Sequence, residues 1–437
     1  MPRGVDRQRF TTLNFGSKPR EKRCSPSSLR RWQKRRGWRD LTSLRIVSLM
    51  VAAEIFAMLG SSAVAATLPA LTAQWGLSPA QAGWLSGSYF LGYAVAVPIL
   101  VSLTDRIDAR VVFAFGCVVG IVANVGFARF AHGFVSATLL WSLAGISMAG
   151  AYMPGLRVII DRLDPAARLR AVPYYTASFS VGVSVSFLAA GLVAQIAGWR
   201  AAFDVAGVGC AVALVCLVLA TVRTPEASQR SGSGAFDLRA VLRNVTALRY
   251  ILAYGGHCWE LFALRAWLVA LLLFVWNKTM AGNPASALTY WSSIIALAGV
   301  PASIGGAELA LRFGRRPLIV SVALASVAIG LTLAALGSRS FLLAAFGLLI
   351  YTVAILGDSG AITAGLVEAT PVEAQGSTLA LHSLVGFVGG ALGPIAVGIA
   401  LSLVGGLASG TGWFVALAVM AAGSGVAAFA VRGVAKA

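Results

Sequence analysis

The sequence predicts an all-α integral membrane protein of twelve transmembrane helices, arranged as two pseudo-symmetric six-helix halves with both termini cytoplasmic. Three observations predict it. The 437 residues are 58% hydrophobic and only 12% charged, whereas a soluble domain carries about a quarter charged residues. Apolar runs of about 20 residues recur along the chain, each long enough to cross a bilayer as a helix. A shift of 206 positions also brings matching residues of the two halves into register.

The apolar runs place spans at 45–68, 81–103, 110–130, 135–160, 171–197, 200–222, 249–275, 286–310, 317–337, 340–366, 374–403 and 411–432. The gaps between them alternate in charge. One set holds Arg106 and Arg110, then Arg162, Arg168 and Arg170, then Arg223 to Arg249, then Arg312, Arg315 and Arg316, then the tail with Arg432 and Lys436. The other holds Arg129, Arg200, Lys278 and Arg339. The positive-inside rule puts the first set, and with it both termini, in the cytoplasm. An even number of spans agrees with that.

The net charge of +19 follows the same logic. Fourteen of the 35 Lys and Arg precede residue 46, in runs such as Lys34-Arg35-Arg36. Such placement sets topology, not a phosphate-tracking surface, so nucleic acid is not an expected partner. Residues 1–43 contain no apolar core with a small-residue cleavage site, so they are not a secretory signal. They read as a disordered basic cytoplasmic tail; a transit peptide and a start codon further downstream are the alternatives. The six-helix halves are expected at 44–222 and 249–432, with a short tail at 433–437. The gap at 223–248 divides them. It opens with Pro225 and Ser231-Gly232-Ser233-Gly234. It then reads as an amphipathic helix, with Leu238, Val241, Leu242, Val245 and Leu248 on one face and suited to lie on the inner leaflet. The five cysteines are scattered, mostly inside apolar runs. Their spacing suits neither a disulfide framework nor a metal site, and no cofactor is expected.

The repeat places Asp105-Arg106, after span 2, on Leu311-Arg312, after span 8. The same shift places Glu54-Ile55-Phe56-Ala57-Met58 on Glu260-Leu261-Phe262-Ala263-Leu264. Parallel repeats of this kind are a transporter architecture, with sites near the bilayer midplane between halves. Residues 101–110, Val-Ser-Leu-Thr-Asp-Arg-Ile-Asp-Ala-Arg, are similar to the Gly-x-Leu-Ala-Asp-Arg-x-Gly-Arg-Lys signature of the major facilitator superfamily. Asp105, Arg106 and Arg110 match, while Val101 and Asp108 replace its glycines. The second copy, 307–316, keeps Gly314, Arg315 and Arg316 but has Leu311 for the Asp. Trp199-Arg200 with Phe203 also resembles this superfamily, and the resemblance covers residues 45–432. It implies a gating role for the two loops at the cytoplasmic side. A physical route exists: Asp105 would face a helix N-terminus and Arg106 a carboxylate.

Ionisable groups in lipid are costly and so face a cavity. Counted inward from the cytoplasmic ends, Glu54, His257, Glu260, Asp358 and His382 all lie about 12–17 Å deep at ~1.5 Å per residue. They read as one polar layer. The resemblance implies that spans 1, 4, 7 and 10 line the cavity, with Glu54 and Glu260 facing each other across the pseudo-twofold. Glu54, Glu260, Asp358 and His257 are then the candidates for proton binding and release. Arg265 is the only basic residue deep in a span. It lies about 140° around the helix from Glu260, so the two should not pair: either span 7 unwinds near Gly255-Gly256, or Arg265 meets a substrate carboxylate or Asp358. Arg265, Trp267, His382 and Tyr152 are the candidates for substrate contact. Gly83 and Gly87 in span 2 allow close helix approach. Gly393-Pro394 in span 11 resembles an antiporter signature that belongs in span 5, so packing is its default reading.

Gly256-His257-Cys258 and Gly357-Asp358-Ser359-Gly360 look like pieces of a serine protease, but no Asp between Asp237 and Asp358 supplies the third triad member. A channel or receptor would not predict the repeat with its Asp-Arg loop. A nucleotide-binding Gly-x-x-x-x-Gly-Lys-Ser/Thr is absent. The expectation is therefore a monomeric, multi-pass secondary carrier in a bacterial inner membrane. It would move a small solute by alternating access, coupled to protons, and is not an enzyme.

Overall fold

The computed structural model describes residues 41–221, 238–371 and 374–434. The tail up to residue 40, Pro225 and Ser231 to Gly234 lie outside the described residues. Among those described, eleven helices are long and apolar enough to cross a membrane. The chain order is α1 (Leu41–Ala57), α2 (Ala63–Trp75), α3 (Pro79–Leu103), α4 (Ala109–Phe130), α5 (Phe134–Arg162), α6 (Pro165–Ala220), α7 (Leu238–Arg243) and α8 (Val245–Thr279). It continues with α9 (Ala285–Leu297), α10 (Gly299–Phe313), α11 (Arg315–Leu336), α12 (Phe341–Leu356), α13 (Ser359–Glu368), α14 (Gln375–Leu403) and α15 (Gly410–Arg432).

Local chemistry sets the ends. Ser78 and Gln81 form a reciprocal capping box at the start of α3, with Pro79 in the first turn, where its missing N–H costs nothing. Asp108 caps α4 by accepting from Arg110 N–H. The repeat appears in these starts: α3 and α4 begin at Pro79 and Ala109, and helices begin again 206 positions later at Ala285 and Arg315.

Twelve expected spans against eleven helices is a question about one residue. The helix at Ala167–Ala220 counts 54 residues. Run straight, it would be about 80 Å long, against a bilayer core of ~30 Å. Gly198 interrupts it with φ 81 and ψ 167, a conformation that an L side chain resists. The chain turns there, between the expected spans 171–197 and 200–222.

Three spans are broken inside the apolar region. Span 1 breaks between α1 and α2, through a short 3₁₀ turn at Met58–Gly60 followed by Ser61 and Ser62. Span 8 breaks at Ala298, and span 10 at Gly357 and Asp358. Span 7 does not unwind: α8 is one continuous helix of 35 residues. Gly255 and Gly256 instead give their bare faces to Val385 of α14 and Gly423 of α15.

The expected amphipathic linker helix is also shorter than its pattern. It stops at Arg243, because the Asn244 side chain caps α8 by accepting from Ala247 N–H and donates to the Ala369 carbonyl. Val241 is buried with Ile251 and Leu366, whereas Leu242 and Val245 are exposed. Part of the apolar face is therefore consumed by the protein itself.

The two most extensive seams between the first six spans and the last six involve four helices. α3 packs on α14, and α6 on α9. A Cβ on Gly83 would lie 2.6 Å from the Pro394 carbonyl oxygen, and one on Gly87 2.5 Å from that of Ala391. The backbones therefore touch, the packing mode favoured where lipid removes the hydrophobic drive between helices. On the other seam, Ser184 Oγ meets Ser293 Oγ at 2.9 Å and Gln195 Nε2 donates to Thr289 Oγ1 at 2.9 Å. Gly83, Gly87 and Gln195 all lie toward the helix ends remote from the Asp105 and Gly314 loops.

Candidate functional site

A narrow cavity lies where spans 1, 2, 4, 5 and 7 converge. Its walls are aromatic, with Tyr89, Phe90, Trp141, Phe179 and Phe262. Its polar groups are Ser61, Ser62, Ser86 and the guanidinium of Arg265. Arg265 Cζ lies 5.9 Å from the Phe179 ring centre and 5.8 Å from that of Phe262. Both separations permit cation–π attraction. Among the described residues Arg265 makes no ion pair and no hydrogen bond. Arg265 is partly buried, and a guanidinium withdrawn from water without an acid is costly.

Of the expected substrate contacts, only Arg265 lines this cavity. Trp267 is fully buried, donates from Nε1 to the Pro394 carbonyl at 3.0 Å, and packs edge-on against Trp413. Tyr152 stacks on Tyr175 and touches Phe179 from behind the wall. His382 is buried against Tyr254, ring centres 3.8 Å apart, and its Nδ1 has no hydrogen-bond partner. The wall residues Phe90, Phe179 and Phe262 escaped the sequence reading because aromatic residues in apolar runs look like ordinary packing. One signal was present: Phe262 and Arg265 stand three apart, on one face of span 7.

The expected polar layer does not line this cavity. None of Glu54, His257, Glu260, Asp358 and His382 lines the cavity. Glu54 and Glu260 do not face each other; each turns into its own set of six spans. Glu260 accepts from Tyr351 OH at 2.5 Å and Ser326 Oγ at 3.1 Å on Oε1, and from Ser424 Oγ on Oε2. Three helices thereby tie down both of its oxygens. Glu54 accepts from Tyr175 OH at 2.8 Å on Oε2 only, and its buried Oε1 has no partner. Equal depth fixed the height of these groups but not the rotation of each helix, which is packed tightly at contacts such as Gly182 on Met58 and Gly423 on Gly256.

His257 and Asp358 do meet, Nδ1 to Oδ1 at 2.9 Å, and both are buried. Asp358 sits in the break of span 10, where a polar side chain can be presented without a full helical turn around it. This is the His-Asp half of the protease-like pattern. Ser359 Oγ, however, donates to the Leu356 carbonyl and lies 3.2 Å from Ser303 Oγ, and no bond joins it to His257.

The loops follow a different pairing from the expected one. Asp105 meets Arg157 Nη1 at 3.3 Å, and Arg157 Nε also binds Asp161 at 2.9 Å. Arg106 is exposed and makes no ion pair among the described residues. The helix N-terminus is capped by Asp108, which replaces a signature glycine. Its carboxylate also accepts from Arg162 Nη2 at 2.9 and 3.0 Å. In the second copy Gly314 takes φ 87 at the corresponding turn. Arg315 pairs with Glu368, and Arg316 donates to the Arg432 carbonyl. Glu368 is the repeat partner of Arg162, 206 positions on, so the two latches have opposite polarity.

Burial ranks them. The Asp108 and Arg162 side chains are only 17% and 9% exposed, whereas Glu368 is 66% exposed. Asp108→Ala removes a cap and a shielded pair, and is expected to cost about 1–2 kcal/mol. Glu368→Ala is expected to cost about 0–1 kcal/mol. Thermal unfolding of the two variants in detergent checks the order; equal shifts would remove the distinction.

The comparisons agree with this architecture. An "Uncharacterized MFS-type transporter YwoD" of Bacillus subtilis is 23% identical over 240 residues, 52% of this chain. The match spans 51%, about half, of that relative's length. A "Probable 4-methylmuconolactone transporter" of Cupriavidus pinatubonensis is 26% identical over 362 residues, 79% of this chain and 81% of that one. The crystal structure of a bacterial homologue of the human lysosomal transporter Spinster, inward-facing and unoccupied, superposes with a TM-score of 0.75 at 16% identity. It covers 90% of this chain and 98% of that one. The model of the Major Facilitator Superfamily matches residues 50–394. The family match over residues 50–394, on a bundle of membrane-length helices with this repeat, identifies the chain as a member of the Major Facilitator Superfamily.

Proposed function

We propose that the chain is a proton-coupled secondary carrier for a small organic anion, working by alternating access. The observation that carries the substrate reading is Arg265: a cation without an acidic partner among the described residues, set in an aromatic cavity. A carboxylate on a flat or apolar body satisfies both features. The relative named for 4-methylmuconolactone carries a small solute of the same general class.

Counting the two arms of α6 separately gives twelve crossings. Both termini then lie with the basic loops in the cytoplasm, and the protein works as a monomer in a bacterial inner membrane. The seams at Gly83 and Gln195 close the opposite face. Opening that face while closing the basic one would carry the cavity across the membrane. Asp108–Arg162 and Arg315–Glu368 belong to the gate on the basic side. Protons would be exchanged at Glu54, which has one free oxygen, and at the His257–Asp358 pair.

Arg265→Gln tests the substrate reading. The variant is expected to lose at least about tenfold in affinity for acids, the lower end for a charge-assisted hydrogen bond, with Arg265→Lys intermediate. Thermal-shift titration against acids and their neutral amides measures it. Acid binding unchanged in Arg265→Gln would remove the anion reading.

A further inference from the structure

The break in span 1 leaves a helix N-terminus inside the cavity. α2 has 13 residues and runs from the middle of the apolar region toward the end remote from the basic loops. Its first carbonyl-directed bond is Ala66 N–H to Ser62. The N–H groups of Ala63, Val64 and Ala65 therefore stand open at its start, as at any helix N-terminus. No side chain caps them: Ser62, the N-cap, donates its Oγ to the Val183 carbonyl instead. Ser61, Ser62, Val64 and Ala65 all line the same cavity as Arg265.

Two further observations point to a ligand. Ser61 Oγ is buried and has no hydrogen-bond partner. The break is also held open by a dedicated contact. Ser186 of α6 accepts from Ser62 N–H at 2.9 Å and donates from the same Oγ to the Leu59 carbonyl at 2.7 Å. That one hydroxyl supplies the bonds a continuous helix would have made, so the half-helix is a built feature and not a frayed one.

We infer that the open start of α2, with the Ser61 hydroxyl, is a second anchor for the substrate's anionic group, opposite Arg265. A helix N-terminus carries partial positive charge and free N–H donors, and both favour an oxyanion. Broken helices in transporters aim such ends at substrate carboxylates. With Arg265 on span 7 and the half-helix on span 1, the anionic group bridges the two sets of six spans. The aromatic wall of Phe90, Phe179 and Phe262 holds the apolar body. The substrate class narrows to a monoanionic oxyacid, a carboxylate first, on a ring-sized apolar body.

This inference rests on the reading of Arg265 as the anion contact, and the test separates the two. Acetate, benzoate and 2-naphthoate, each with its neutral amide, are titrated into the full-length protein in detergent, and stabilisation against heat is followed. The wild type should respond to benzoate and not to benzamide. Ser61→Ala, with unliganded stability near wild type, should weaken benzoate about tenfold, the loss of one hydrogen bond to a charged group. Ser61→Asp places a carboxylate in the anchor and should abolish the response. If Ser61→Ala and Ser61→Asp bind benzoate like wild type while Arg265→Gln does not, the second anchor is wrong and the Arg265 reading stands. If the wild type responds to none of the acids, both fail.

Discussion

Glu54→Gln should uncouple transport from the proton gradient, whereas Glu260→Gln should weaken the fold and leave coupling intact. The two residues occupy the same place in the repeat, so the contrast comes only from their surroundings. Glu54 has a single donor, Tyr175 OH at 2.8 Å, and an unpartnered oxygen. A proton can arrive or leave at Oε1 without breaking a bond. The amide of Gln keeps the bond to Tyr175 and removes only the exchange. Tyr175 stacks on Tyr152, which touches Phe179 in the cavity wall, and Met58, one turn on from Glu54, lines the cavity itself. Occupancy of the cavity and the state of Glu54 are thus linked through packed rings.

Glu260 differs because Tyr351, Ser326 and Ser424 hold it from α12, α11 and α15. Gln there turns one acceptor into a donor facing a hydroxyl, at a cost of about 1–3 kcal/mol for a buried group. The measurement is accumulation of a labelled acid in liposomes. A gradient of one pH unit, about 1.4 kcal/mol per proton, drives roughly tenfold accumulation for a one-proton carrier. Wild type and Glu260→Gln should approach that value, with Glu260→Gln melting earlier. Glu54→Gln should equilibrate without accumulating, yet still exchange labelled for unlabelled acid. The reverse pattern, with Glu260→Gln uncoupled and Glu54→Gln normal, would overturn the assignment.

Gly83→Val is expected to arrest the cycle with the remote face open. The Cβ alone would lie 2.6 Å from the Pro394 carbonyl oxygen and 3.2 Å from Gly398 Cα. Backbone cannot yield as a flexible side chain can, so α3 and α14 must separate. Overpacking of this kind costs about 1–3 kcal/mol. That cost falls only on the state in which the seam is closed, so it shifts the balance between states by about 5–150-fold. A cysteine placed at Ser62 should then react with an impermeant thiol reagent from the remote face, and flux should fall in proportion. Gly398→Val, against the Pro79 carbonyl on the same seam, should behave alike. Normal flux with Ser62→Cys still shielded would show that the seam does not close during transport.

The sequence by itself determined what depends on position along the chain. Bilayer thickness dictates how long an apolar run must be, and each helix satisfies its own backbone hydrogen bonds. The runs at 81–103, 110–130 and 411–432 accordingly lie within helices at Pro79–Leu103, Ala109–Phe130 and Gly410–Arg432. The depth of Arg265 and its separation around the helix from Glu260, the acid on its own span, were also legible. Tertiary structure decided what depends on rotation about each helix and on departures from helical geometry. Glu54 and Glu260 share a depth but turn away from each other, each into hydrogen bonds and close packing within its own six spans. Asp108 looked like a flaw in a signature and became a helix cap with Arg162 beside it. The break at Met58 to Ser62 contains no proline and only Gly60 as a hint; it exists because Ser186, more than a hundred residues away, supplies the hydrogen bonds that the interrupted helix lacks.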